Sequence, residues 1–299
     1  MALETLAFND VLNDDTAHFF KSGGTRRSSK NKRLNKLHHL LPEKGNHGTN
    51  LEYDIWYNFK NEPKIRGYVY TDVMTKFLYL KPASSMYCES IIKEAIKQDI
   101  TEEGEAIFQD ILDTPNDKYK LSKSDVEHPY VIFLPGTNIL FDVVDEKRIK
   151  NAVENDGAKL KLHPLTSPFA VSYLKDQYGK ENLLDRKLSG HNILKKSKIV
   201  GTFSNSEMGL VALAQGSKVN IFDKKGMVEK TYTPIYNVLW REKEANIEEL
   251  KRLLSCDFCG LVSYLSKNPE QKIKNFWDFF KDVIHVKPKN PKSLNTGKK

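Results

Sequence analysis

Between residues 129 and 223, strand-like apolar runs alternate with helix-periodic segments, and no other feature restricts the fold of this chain as tightly. Residues 129–134 (PYVIFL) read as a buried strand and 144–154 as a helix. Residues 158–162 alternate polar and apolar side chains, which predicts a strand ending on the step His163-Pro164. Thr166-Ser167-Pro168 then opens a helical run over 169–178, with proline early in its first turn. Residues 198–202 read as a strand, 210–215 as a helix closed by Gly216, and 218–223 as a further strand. Strict alternation of this kind predicts a parallel sheet with helices on its faces.

In such a sheet, ligands bind beyond the carboxyl ends of the strands. The residues expected there are polar: Thr137 and Asn138 after the first strand, His163 and Pro164 after the second, and Ser204, Asn205, Ser206 and Glu207 after the next. The first N–H groups of a helix have no partner inside it and attract anions, so small hydroxyl and amide side chains at a helix start suit a phosphate. The plainer reading is that a serine caps the helix and His163 is a packed strand-end residue.

Lys161-Leu162-His163-Pro164, followed by Ser204-Asn205-Ser206-Glu207 and the segment Gly209-Leu210-Val211-Ala212-Leu213, resembles the donor half of GT-B glycosyltransferases. The likeness is to the bacterial sialyltransferase and capsule-polymerase type, over residues 129–223. Asn205 stands between two serines where that family has adjacent hydroxyls. The resemblance implies two Rossmann-like domains with a C-terminal helical segment. It implies a nucleotide-sugar donor, a UDP-sugar first among them, whose phosphate is held by His163 and the Ser204–Ser206 turn. No metal is required by the sequence.

The rest of the chain is read around that half. Residues 1–125 are expected to form an acceptor-binding α/β domain, and 126–299 the donor domain with C-terminal helices and a basic tail. The best linker is 116–125. The net charge is +8, and much of it lies in one run: Arg26, Arg27, Lys30, Lys32, Arg33 and Lys36 precede the acid at Glu43. A basic run suits phosphate contacts to nucleic acid, or is simply a solvated helix face. Residues 67–72 are the clearest strand of the first half and end on Asp72, with Asp54 behind it. Residues 84–98 read as an amphipathic helix and 99–124 as a polar surface helix with a connector. Residues 232–236 read as a loop or short strand, 247–254 as a helix, and 270–284 as an amphipathic helix. Cys256 and Cys259 form a lone Cys-x-x-Cys without a second pair for zinc, and read as half-buried helix cysteines. The first residues lack the layout of a signal peptide, and no apolar run reaches bilayer length, so a cytoplasmic protein is expected.

These features lead to a glycosyltransferase with His163 and Asp72 as catalytic residues, Asp72 deprotonating an acceptor hydroxyl. A compact basic chain is similar in kind to bacteriophage DNA glycosyltransferases. That likeness implies 5-hydroxymethylcytosine in duplex DNA as acceptor, in a host bacterial cytoplasm. Two other readings fit the same residues: transfer to a surface polysaccharide or lipid-linked glycan, and a non-catalytic nucleic-acid-binding protein.

Overall fold

The structure is a computed structural model and describes residues 46–47, 54–58, 66–71, 77–82, 85–113, 121–123, 127–203, 206–224, 233–241 and 244–285. The basic run at 26–36, Asp72, Ser204, Asn205 and most of the linker at 116–125 lie outside them.

The alternating segment forms one parallel five-stranded sheet. Its strands are β5 (Tyr130–Phe133), β6 (Lys159–Lys161), β7 (Leu183–Leu184), β8 (Ile199–Thr202) and β9 (Lys218–Ile221). They lie in the order β7-β6-β5-β8-β9, and every neighbouring pair is parallel. In chain order this is 3-2-1-4-5, the order of a Rossmann-like half, with a topological switch point between β5 and β8. Alternation along β5 splits its side chains between two cores. Tyr130 and Ile132 pack with α3 (Thr137–Val143), α4 (Glu146–Asp156) and α5 (Pro168–Tyr178) on one face. Val131 and Phe133 face the opposite core, with α6 (Gly190–Leu194) and α7 (Met208–Ala214). β8 has room for its neighbours only because residue 201 is glycine, since a Cβ there would press on Ile132 and Phe222.

The first half departs from the expected second Rossmann-like domain. The strands β1 (Asn46–His47), β2 (Asp54–Asn58), β3 (Arg66–Thr71) and β4 (Phe77–Pro82) pair antiparallel in chain order. The reason is connection length: residues 59–65 and 72–76 are shorter than the roughly dozen residues a parallel crossover needs. β10 (Trp240–Arg241) and β11 (Glu244–Ala245) form a separate antiparallel pair. The outer side of β4 is covered by β12 (Leu261–Ser263), again antiparallel, so a late part of the chain joins the sheet begun by the first.

The core likewise crosses the boundary expected at residue 125. Phe77 and Leu80 of β4, with Ile91 and Ile92 of α1 (Ser85–Ala95), share one apolar cluster with Leu210, Leu253 and Phe280 of the second half. α2 (Glu102–Asp113), expected as a surface helix, buries Ile107, Phe108 and Ile111 there. It packs on α9 (Ile247–Ser255) so closely that a Cβ at Gly104 would strike Ser255. Of residues 232–236, expected as loop or short strand, 233–236 belong to α8 (Thr233–Leu239). Pro234 sits in its first turn, where its missing N–H has no helical partner to lose, and Ile235, Val238 and Leu239 make its buried stripe. α10 (Pro269–His285) buries Phe276 and Phe280 as the periodicity predicts. Among the described residues no helix is long and apolar enough to cross a membrane.

Candidate functional site

Among the described residues singled out from sequence, Thr137 and Asn138 follow β5, His163 and Pro164 follow β6, and Ser206 and Glu207 follow β8. β6 and β8 flank β5, so their ends stand about 10 Å apart.

After β6 the chain turns sharply. Thr166 donates to the carbonyl oxygen of His163 twice, from its N–H at 2.9 Å and its hydroxyl at 2.8 Å. Leu165 N–H donates to Nδ1 of His163 at 3.1 Å. With Nδ1 occupied as an acceptor, the neutral imidazole carries its proton on Nε2, the form that donates to an anionic oxygen. Pro164 is buried in this turn and fixes its backbone. The turn is joined to the end of β5 by a hydrogen bond from Ser167 N–H to Oγ1 of Thr137, 2.8 Å. Ser167, four residues after His163, is thus in contact with Thr137. Thr137 and Asn138 open the first turn of α3. The step Pro135-Gly136 supplies an extended N-cap, and the helix begins without a side-chain cap. Ser167 caps α5 by accepting from Ala170 N–H.

At β8 the geometry differs from the sequence expectation. α7 starts at Met208, and Glu207 is its N-terminal flanking residue, already helical in backbone and making no capping bond. Ser206 turns inward on itself: its hydroxyl accepts from Met208 N–H at 3.3 Å, and its carbonyl accepts from the buried phenol of Tyr236 at 2.7 Å. Burial, and then the nearby Glu207 carboxylate, push Tyr236 well above the ordinary tyrosine range, so it stays a protonated donor. Thr202, the last residue of β8, is fully buried, and among the described residues its hydroxyl has no hydrogen-bond partner. A lone buried hydroxyl at a strand end is uncommon and marks the switch point as polar.

Sequence reasoning passed over two further residues. Lys161 lies two positions before His163 and is 3 % exposed. Its ammonium donates to the carbonyl oxygens of Leu162 (2.6 Å) and Arg186 (3.3 Å). Burial lowers its pKa from 10.5 to about 7, although Asp185 pulls it upward. Arg186 in turn donates from Nη1 to the carbonyl of Thr166 at 3.0 Å. The available signal was the alternation of β6: Leu160 and Leu162 face one core, so Lys161 had to face the other.

The Cys-x-x-Cys stands far from these groups in sequence and has another role. Cys256 is the C-terminal flanking residue of α9 and Cys259 follows it in the loop before β12, so neither is in a helix. Both are fully buried, and Cys259 donates to Leu253 O while accepting from Leu261 N–H.

No protein-family model matches this chain, and no curated protein matches it at a significant level.

Proposed function

We propose that the chain is a glycosyltransferase that takes its sugar from a nucleotide-sugar donor. The observation that carries this reading is the bond to Thr137 from Ser167, the residue after the His163–Thr166 turn, at the carboxyl edge of a 3-2-1-4-5 parallel sheet beside the β5/β8 switch point. In the reaction the acceptor oxygen bonds to the anomeric carbon, and the bond from that carbon to the phosphate breaks. The nucleotide leaves with one more negative charge. An Nε2–H donor aimed at that phosphate stabilises the charge as it develops, an effect worth about a hundredfold in rate for a well-placed donor. His163 is the residue for this role, with Ser206 and Glu207 on the facing strand end. Asp72 is the proposed base that takes the proton from the acceptor, and Ser204 and Asn205 are proposed as further donor-binding residues.

For the acceptor, each of two readings has its own support. The basic run Arg26, Arg27, Lys30, Lys32, Arg33 and Lys36 favours duplex DNA bearing 5-hydroxymethylcytosine, since phosphate contacts dominate nucleic-acid affinity. The likeness of Lys161-Leu162-His163-Pro164 to sialyltransferase and capsule-polymerase motifs favours a glycan hydroxyl. A cytoplasmic setting belongs to the first reading.

The test is a transfer assay read by mass spectrometry. The full chain is incubated with UDP-, CMP- and GDP-sugars and with two acceptors, hydroxymethylated duplex DNA and a panel of oligosaccharides. A gain of one sugar on either acceptor, lost in His163→Ala, supports the reading and selects the acceptor. Absence of both transfer and donor hydrolysis for every sugar overturns it.

A further inference from the structure

β7 has only two residues, and its pairing with β6 ends where Leu162 N–H donates to Leu184 O at 3.2 Å. Beyond that bond the chain segments splay apart, and ladder carbonyls at a splay normally turn to water. Here a side chain takes them. The Lys161 ammonium bridges Leu162 O and Arg186 O, and so fastens the loop after β7 to the peptide that enters His163. The guanidinium of Arg186 then spans to Thr166 O at the far end of the same turn. Lys159 makes the matching anchor at the start of β7, donating to Glu181 O at 3.2 Å and Asn182 Oδ1 at 2.7 Å. The His163 turn is therefore held at the carbonyl before His163, at the carbonyl of His163, at Nδ1 and at the carbonyl of Thr166.

An apolar side chain of the same length would fill the space that Lys161 occupies. The lysine costs desolvation of a cation that a methionine would not, a cost the nearby Asp185 carboxylate offsets only in part. What it supplies is direction: two hydrogen bonds that fix the plane of the Leu162–His163 peptide and, through it, the bearing of the imidazole. We propose that Lys161 is a positioning residue for the phosphate-binding histidine, with the loop 185–187 as the brace through which it acts. This rests on the glycosyltransferase reading, and specifically on His163 meeting the donor phosphate.

The test is titration calorimetry on the full chain with CMP, UMP, UDP and GDP as probes, for wild type, Lys161→Met, His163→Ala and the double variant. The expected result is that Lys161→Met weakens the tightest of these probes by about ten- to a hundredfold, the range that a small misplacement of a binding group produces. The double variant then binds no more weakly than His163→Ala alone, because Lys161 acts through the imidazole. Nitrogen-15 shifts of the His163 ring give a second readout: one Nε2–H tautomer in wild type, a mixture in Lys161→Met. Arg186→Gln changes a partly exposed side chain, keeps the core of β6 intact and is expected to weaken the same probe. Wild-type affinity in Lys161→Met, or additive losses in the double variant, overturns the positioning role while leaving the glycosyltransferase reading in place. Failure of the wild-type chain to bind any of the four probes overturns that reading, and the inference with it.

Discussion

The phenolic hydroxyl of Tyr236 lies 2.7 Å from the carbonyl oxygen of Ser206 and donates its proton to it. This single bond ties α8 to the turn that follows β8, and it exists because residue 209 is glycine. A Cβ at that position would run into the phenol ring. Gly209→Ala is expected to push Tyr236 aside and destabilise the fold by about 1–3 kcal/mol, the usual effect of overpacking a filled core. Tyr236→Phe keeps the ring but removes the hydroxyl's bonds to Ser206 O and with the Leu210 backbone, and is expected to cost about 1–2 kcal/mol. Denaturant unfolding of the two variants checks both, and equal losses would count against the steric account.

His163→Ala should leave the fold intact, since the side chain is only partly buried and the turn keeps both bonds from Thr166 to the residue 163 carbonyl. Under the proposed function, transfer falls by about a hundredfold. His163→Gln restores a donor of similar reach and is expected to recover part of the loss. Initial rates at saturating donor, set beside melting curves, separate the two effects.

Lys161 carries a pH signature of its own. Below about pH 7 the lysine is protonated in both folded and unfolded chains, and the cost of burying the charge is fully present. Above that value the folded chain releases the proton, while the unfolded chain holds it until about pH 10.5. This group's contribution therefore makes the fold more stable as pH rises, at about 1.4 kcal/mol per pH unit. The neutral amine still has two N–H groups for the two carbonyls, so the brace survives deprotonation. Relative to Lys161→Met, wild type is expected to gain on the order of 2 kcal/mol of unfolding free energy between about pH 6 and about pH 9. A constant difference would refute the buried-charge account.

Cys88, Cys256 and Cys259 are all buried, and a thiol closed off from solvent is inert whatever its acidity. The hydrogen bond between Cys256 and Cys259 raises the first thiol and lowers the second. A bulky thiol reagent is expected to label none of the three in the native chain and all three in denaturant. Rapid native labelling at Cys259 would mean that the loop before β12 opens.

Much of the parallel-sheet half was legible from sequence because its signals are long and mutually consistent. The strands at β5, β6, β8 and β9 and the helices α4 and α5 fall where period and punctuation predict them. Short elements left no such trace. β7 and β12 have too few residues for alternation to register, yet β7 sets the strand order and β12 completes the other sheet. The antiparallel pairing of β2, β3 and β4 was readable from connection length, a cue outweighed by the resemblance to a two-domain family. At the site, the polar strand ends were visible one at a time. The bond from Ser167 to Thr137, the Tyr236 donor and the Lys161 brace are long-range and depend on which strands are neighbours, which no local window contains.

The pairing of β4 with β12 also sets an order in time. A ribosome releases the chain from its first residue, so β4 is made long before Leu261–Ser263 exists to cover it. Until then one edge of the first sheet offers unpaired backbone groups to any passing strand. The apolar faces of α1 and α2 wait as well, for α8 and α9. During synthesis the first sheet thus stays open to self-association until Leu261–Ser263 pairs with β4.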